Sequence, residues 1–272
     1  MSWIALRVTP AANREGVIAA LFQAGSQGVH EDGDAVVTHF PPDVAIDAIE
    51  RVVMRADPSA TISLSDSVEI DYSQWRAKVG AHHVGDLVIA PPWLASQFAP
   101  GRVVIVEPAM AFGTGEHQTT RGVMRLMQGV IRSGDVVADL GAGSAVLSIA
   151  AAKLGAARIA AVELDHDSVG NAEENILANG VAAQVEIIEG DATVILPLLA
   201  PVRVILANIL SSVLTPMLPT IRSALTPDGQ AILSGLVLDE REAMLDALAD
   251  NLFRVEREDT EDVWWSVQIA LP

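Results

Sequence analysis

The segment Asp139-Leu140-Gly141-Ala142-Gly143-Ser144-Ala145 lies between an apolar run, Val136-Val137-Ala138, and a helix-like run from Ala145 to Leu154. Glycines two apart at a strand-to-helix turn let backbone N–H groups approach a ligand closely at the helix N-terminus. The turn therefore predicts one unit of an α/β sheet. A dinucleotide fingerprint would put a third glycine at position 146, where the chain has Val146. An acidic residue just before the first glycine, here Asp139, is instead the usual opening of an S-adenosylmethionine pocket. The next strand-like run, Arg158 to Val162, ends on Glu163, placed to accept hydrogen bonds from two ribose hydroxyls. An α/β turn without a ligand can also carry two glycines, and Glu163 is what favours the ligand.

Alternating elements continue on both sides of this turn. Strands are expected at 103–106, 136–140, 158–163, 185–189, 202–207 and 230–234, followed by strand-like runs at 252–257 and 263–269. Helices lie between most of them, and Gly155 and Gly180 sit where C-terminal caps belong. This series predicts a doubly wound, Rossmann-like sheet over 103–272, with ligands beyond the carboxyl ends of its strands. The first 90 residues show a different order. Strands are expected at Trp3–Val8, Ala35–Phe40, Thr61–Ile70 and Leu87–Ala90, with helices at Ala11–Ala24 and from Asp43 to about Ala56. That order predicts a small α+β domain of ferredoxin-like type over 1–90. Pro91-Pro92 and Pro100-Gly101 bracket a predicted linker at 91–102.

Composition narrows the function classes. The 272 residues include no cysteine, which excludes disulfides, thiolate metal sites and cysteine nucleophiles. No metal-ligand cluster is apparent, and no metal is expected. No uncharged apolar run reaches the roughly 18 to 20 residues needed to span a bilayer. The first residues lack the basic head and long apolar core of a signal peptide, so a cytoplasmic, soluble, monomeric protein is expected. The formal charge is -18, and residues 1–90 already hold 6 basic against 12 acidic side chains, so both parts are acidic. Such a chain repels nucleic acid at long range and attracts a basic protein. Acidity for solubility alone gives the same composition.

Further candidate residues fall at strand ends. Asp191 follows the run ending at Gly190 and is placed either to accept from an adenine amino group or simply to turn the chain. Asn208 follows Val204–Ala207 and is placed to hold an acceptor amine beside a sulfonium, although asparagine there is also an ordinary turn residue. In the segment Glu107 to Thr120, Phe112 is a candidate cover for an apolar ligand face and Thr120 a candidate donor to a carboxylate. Thr119 or Thr120 would alternatively cap the helix predicted at Arg121–Ile131. His82, His83, His117 and His166 are candidate proton acceptors, none of them assigned as a base.

The stretch Ala111-Phe112-Gly113-Thr114-Gly115-Glu116-His117-Gln118-Thr119-Thr120 resembles the A-F-G-T-G-x-H-x-T-T signature of the PrmA family, class I methyltransferases that modify ribosomal protein L11. Asn208-Ile209-Leu210 resembles that family's N-I-L, Ser234-Gly235-Leu236 its S-G-I/L, and Leu87 to Trp93 the segment leading into its catalytic domain. The resemblance covers nearly the whole chain. It implies S-adenosylmethionine as cofactor, held by Thr120, Gly141, Glu163 and Asn208. It also implies methylation of amino groups, on lysine side chains or the N-terminal α-amine, of a basic large-subunit ribosomal protein. Ala145 stands where a third glycine is common, Ala109 where glycine is usual, and Glu107 and Glu163 where aspartate is usual. Alanine at a helix start is harmless unless a positive φ is required. The alternatives are a methyltransferase for another lysine or a small amine, or a cofactor-binding module without catalysis.

Overall fold

The computed structural model describes residues 4–26, 29–40, 44–64, 79–107, 115 and 117–272. The chain divides into two compact units, Met1–Val79 and Gly80–Pro272. In the first, β1 (Ile4–Thr9), α1 (Arg14–Gln23), β2 (Val29–Asp32), β3 (Ala35–Phe40), α2 (Ile46–Ala56) and β4 (Thr61–Leu64) follow in order. The strands form an antiparallel sheet ordered β2-β3-β1-β4. Leu6, Val8, Val36 and Phe40 on the sheet bury against Val17, Leu21, Ile49 and Val53 on the helices. Asp57 holds the entry to α1: its Oδ2 accepts from the N–H groups of Ala11, Ala12 and Asn13 at 2.8, 2.7 and 3.0 Å. Those bonds lower its pKa to about 2.

The division falls at Val79/Gly80, which corrects the sequence-based boundary at 90. Leu87–Ala90 (β6) is buried at all four positions and runs parallel to β7 (Val103–Ile105), with β5 (His82–Val84) on its other side. Its partners lie downstream, so it belongs to the second unit. The predicted linker contains a short helix, α3 (Pro92–Ala95), and Leu94, Ala95 and Phe98 pack on Val88, Ala90 and Val103. Two prolines before a helix start read like a linker, but proline suits the first helical turn.

The large sheet is built from β8 (Val136–Leu140), β9 (Arg158–Glu163), β10 (Val185–Glu189), β11 (Val202–Asn208), β12 (Leu225–Val237), β13 (Arg254–Glu261) and β14 (Trp264–Ala270). Its order is β10-β9-β8-β11-β12-β14-β13, with β14 antiparallel to both neighbours and the first five strands parallel. Helices α4 (Gln118–Met127), α5 (Val146–Lys153) and α6 (His166–Ala178) contribute to the core on one face. Helices α7 (Ala192–Leu199), α8 (Ser211–Ala224) and α9 (Arg241–Asp250) contribute to the core on the other. Burial on both faces explains why Val204–Ala207 reads as an unbroken apolar run: Val204 and Leu206 enter one core, Ile205 and Ala207 the other. Among the described residues no helix is long and apolar enough to cross a membrane.

Gly235 sits in an irregular stretch of the β12–β14 pairing at φ +82°, and a Cβ there would lie 2.5 Å from the carbonyl oxygen of Ile209. The backbones at the ends of β11 and β12 thus approach as closely as only glycine permits. Gly235→Ala is expected to lower the unfolding free energy by about 1 to 3 kcal/mol, measured by urea titration. An unchanged midpoint would mean that the crossing relaxes without cost.

Candidate active site

In a sheet of this order the crevice opens where strand succession reverses, between β8 and β11, beyond their carboxyl ends. The turn after β8 is strained in the way its glycines permit: Gly141 has φ 72° and Gly143 φ 53°. The N–H groups of Gly141 and Ala142 donate to Val162 O at 2.9 and 3.0 Å, tying the turn to β9. A Cβ on Gly141 would meet Ile209 Cγ2 at 2.4 Å, so Ile209 closes one side. Ala145 also has positive φ, 62°, and caps α5 from the left-handed region. The helix therefore starts at Val146, one residue later than the apolar run suggested, and the condition that makes alanine costly here is met.

Glu163 closes the turn from the end of β9. Its Oε2 accepts from Gly143 N–H at 2.7 Å and its Oε1 from Asp165 N–H at 2.8 Å. Each carboxylate oxygen can accept a second bond. Asp191, at the end of β10, is the N-cap of α7: Oδ1 accepts from Thr193 N–H and O–H at 2.8 and 2.7 Å. The hydroxyl and backbone bonds from Thr193 lower its pKa. Gly141, Glu163, Leu164, Asp191, Ile209 and Leu210 share one cleft of about 320 Å³.

Asp139, on β8, has no exposed surface. Its Oδ2 accepts from Ser148 O–H at 2.7 Å, while Oδ1 is buried with no hydrogen-bond partner among the described residues. Burial pushes its carboxyl up to about 6; the bonds from Ser148 oppose this and Glu163 adds to it. A cationic N–H donor at Oδ1 would supply both the missing bond and the missing charge.

Asn208, at the end of β11 and two residues beyond the partner of Asp139 in the register, repeats the pattern. Its Nδ2 donates to Thr120 Oγ1 at 3.4 Å, and its Oδ1 is buried without a partner among the described residues. Thr120 is completely buried in the first turn of α4. That helix begins at Gln118, three residues before the predicted start, and its N-cap is neither threonine but His117, whose Nδ1 lies 2.7 Å from Thr119 Oγ1 and accepts from Thr119 N–H at 3.4 Å. The His117 ring meets Trp264 edge-on at 4.7 Å. Burial, then the nearby Arg121 charge, lower the His117 pKa. His117, Thr119, Asn208, Ile209, Leu210, Gly235 and Trp264 line a second cleft of about 250 Å³, adjoining the first at Ile209 and Leu210. Trp264 gave no signal in the sequence because it lies in a tail of unremarkable strand character. Phe112 lies outside the described residues. His166 pairs instead with Glu189 at 2.9 Å.

A larger cleft of about 560 Å³ lies at the opposite ends of the strands, against Val136, Arg158, Gln184 and Val202, and holds none of these groups. Among the described residues no group of histidines and carboxylates is arranged to hold a metal ion.

Residues 35–271 match the family described as ribosomal protein L11 methyltransferase (PrmA). Relatives of that name include one from Lacticaseibacillus paracasei, 31% identical over 99% of this chain and 98% of its own, and one from Thermus thermophilus, 32% identical over 91% of each. The crystal structure of a ribosomal protein L11 methylase from Lactobacillus delbrueckii subsp. bulgaricus superposes with a TM-score of 0.63 at 30% identity, covering 70% of this chain and 98% of that one. A precorrin-6y C5,15-methyltransferase from Geobacter metallireducens, at 21% identity and a TM-score of 0.50 over 58% of this chain and 90% of its own, shares the fold. With the family match spanning both the turn after β8 and the strand end at Asn208, the chain belongs to the ribosomal protein L11 methyltransferase family.

Proposed function

We propose that this chain transfers methyl groups from S-adenosylmethionine to amino groups of ribosomal protein L11, on lysine side chains, the N-terminal α-amine or both. One observation carries the cofactor assignment. Asp139 Oδ1 and Asn208 Oδ1 are buried acceptors without partners among the described residues, on neighbouring strands at the sheet's reversal point. The cofactor's α-ammonium suits the first and the incoming amine's N–H the second. Gly141 and Gly143 let backbone approach the amino-acid end, Glu163 takes the ribose hydroxyls, and Asp191, whose cap uses only Oδ1, faces the adenine. Thr120 accepts from Asn208 and keeps its own O–H to donate to the cofactor carboxylate. When bound, the cofactor supplies an electrophilic methyl group.

The protein's own task is alignment and proton control. A lysine with pKa ~10.4 needs about 4.6 kcal/mol to become neutral at pH 7, and an α-amine near ~7.8 needs only about 1 kcal/mol. Ile209, Leu210 and Trp264 give the amine cleft apolar walls, which disfavour the ammonium form. His117 Nδ1 is already engaged by Thr119, so the ring orients the α4 entrance and is not assigned as the base. The net charge of -18 draws a basic substrate toward the protein. The first unit, which carries no cofactor motif, serves to recognise that substrate.

Mass spectrometry of purified L11 incubated with the protein and cofactor tests this reading. Successive additions of one methyl group are expected, and unmodified L11 in the presence of bound cofactor would contradict it. Two substitutions separate the roles. Glu163→Ala is expected to weaken cofactor binding by about 1.5 to 3 kcal/mol, the range for hydrogen bonds to a charged group. Asn208→Ala is expected to lower turnover at saturating cofactor more than it lowers affinity. Calorimetry and initial rates distinguish them, and full turnover in the Asn208 variant would make that residue a cofactor ligand alone.

A further inference from the structure

Helix α6 and its C-cap bury two asparagines one turn apart, Asn175 at 1% and Asn179 at 9% exposure. Asparagine is a weak helix former, and an apolar residue would pack there without needing partners. Both side chains reach out of the helix to backbone. Asn179 copies a neighbouring strand: Oδ1 accepts from Ile105 N–H at 2.9 Å and Nδ2 donates to Ile105 O at 2.6 Å. Asn175 reaches further. Its Oδ1 accepts from Glu107 N–H at 2.9 Å, where the chain leaves β7 for the A-F-G-T-G segment. Its Nδ2 donates to Ser144 O at 3.0 Å, in the turn after β8. With an N–H on one side and a carbonyl on the other, the amide can face only one way.

The turn that Asn175 grips is the one whose Gly143 N–H is held by Glu163. Resting on the cofactor assignment above, we propose that Asn175 is a positioning residue. It sets the spacing between the β7 exit and the turn that receives the cofactor, and the turn's geometry depends on it. Asn179, one turn on at the helix's C-cap, bonds Ile105 and, through Nδ2, the carbonyl oxygen of Asn175 at 2.8 Å, and makes no bond to the turn. Removing either residue deletes buried hydrogen bonds and lowers stability; only Asn175 connects to the turn.

The test uses the full-length chain with Asn175→Asp, Asn175→Ala and Asn179→Ala, each checked for folding by circular dichroism. Asn175→Asp keeps the acceptor for Glu107 N–H and loses the donor to Ser144, so it carries the test if Asn175→Ala does not fold. Two quantities are read: amide exchange at Gly143 without cofactor, and calorimetric affinity for S-adenosylhomocysteine. Both Asn175 variants should speed Gly143 exchange and weaken binding by about tenfold, the equivalent of one lost hydrogen bond. Asn179→Ala should speed exchange at Ile105 and leave Gly143 exchange and affinity within about twofold of the parent, because its bonds do not reach the turn. Parental exchange at Gly143 in folded Asn175 variants, or an equal effect from Asn179→Ala, would overturn the proposal. A parent that binds no S-adenosylhomocysteine would overturn the cofactor assignment instead, and Gly143 exchange would then decide Asn175 by itself.

Discussion

A carboxylate with no exposed surface stands at the reversal point of the sheet, on the strand that leads into the glycine turn. Asp139 has one oxygen bonded to Ser148 and the other without a partner among the described residues. Leaving such an acceptor unpaired costs about 1 to 3 kcal/mol. Parallel strands buried on both faces are what keep water away from it, because α5 covers one side of β8 while α7 and α8 contribute to the core on the other. The cost is thus a consequence of the fold, and a bound cation would remove it.

The surrounding turn is held in shape before any ligand arrives. Glu163 bonds Gly143, Val162 O takes two further N–H groups, and Asn175 holds Ser144 from behind. Ala145 shows how far the shape is imposed. A left-handed residue other than glycine costs roughly 1 to 2 kcal/mol, and its fully buried methyl returns about 0.8 kcal/mol. The burial offsets part of the cost, and the surrounding packing holds alanine in a conformation where glycine is common.

Much of this was legible in the residues, for physical reasons that differ by element. Val136–Leu140, Arg158–Glu163 and Val185–Glu189 are strands at their expected bounds, because short apolar runs between turn residues have few other fates in an alternating chain. The strands Val29–Asp32 and His82–Val84 give little local signal, because their sequences are short and rich in charged residues or histidine. The division falls before Leu87 and not at 90, because Leu87–Ala90 finds its partner β7 only after the prolines, a pairing that local pattern does not encode. The expected cap Asp43 and the outer part of the strand predicted at Thr61–Ile70 lie outside the described residues. Among the candidate site residues, Asp139, Gly141, Gly143, Glu163 and Asp191 are legible as candidates because they stand at or just after strand ends. Asn175 and Asn179 are not, since asparagines in the last turn and at the C-cap of a helix look like any solvated positions until their partners are known. The positive φ of Ala145 was equally silent, as alanine carries no mark of it.

A crystal structure with S-adenosylhomocysteine tests the proposed cofactor site most directly. The adenosine is expected between Glu163 and Ile209, with the α-ammonium within hydrogen-bonding distance of Asp139 Oδ1 and the sulfur facing Asn208. Binding in the larger cleft beside Arg158 and Gln184, or an ammonium pointing away from Asp139, would contradict it.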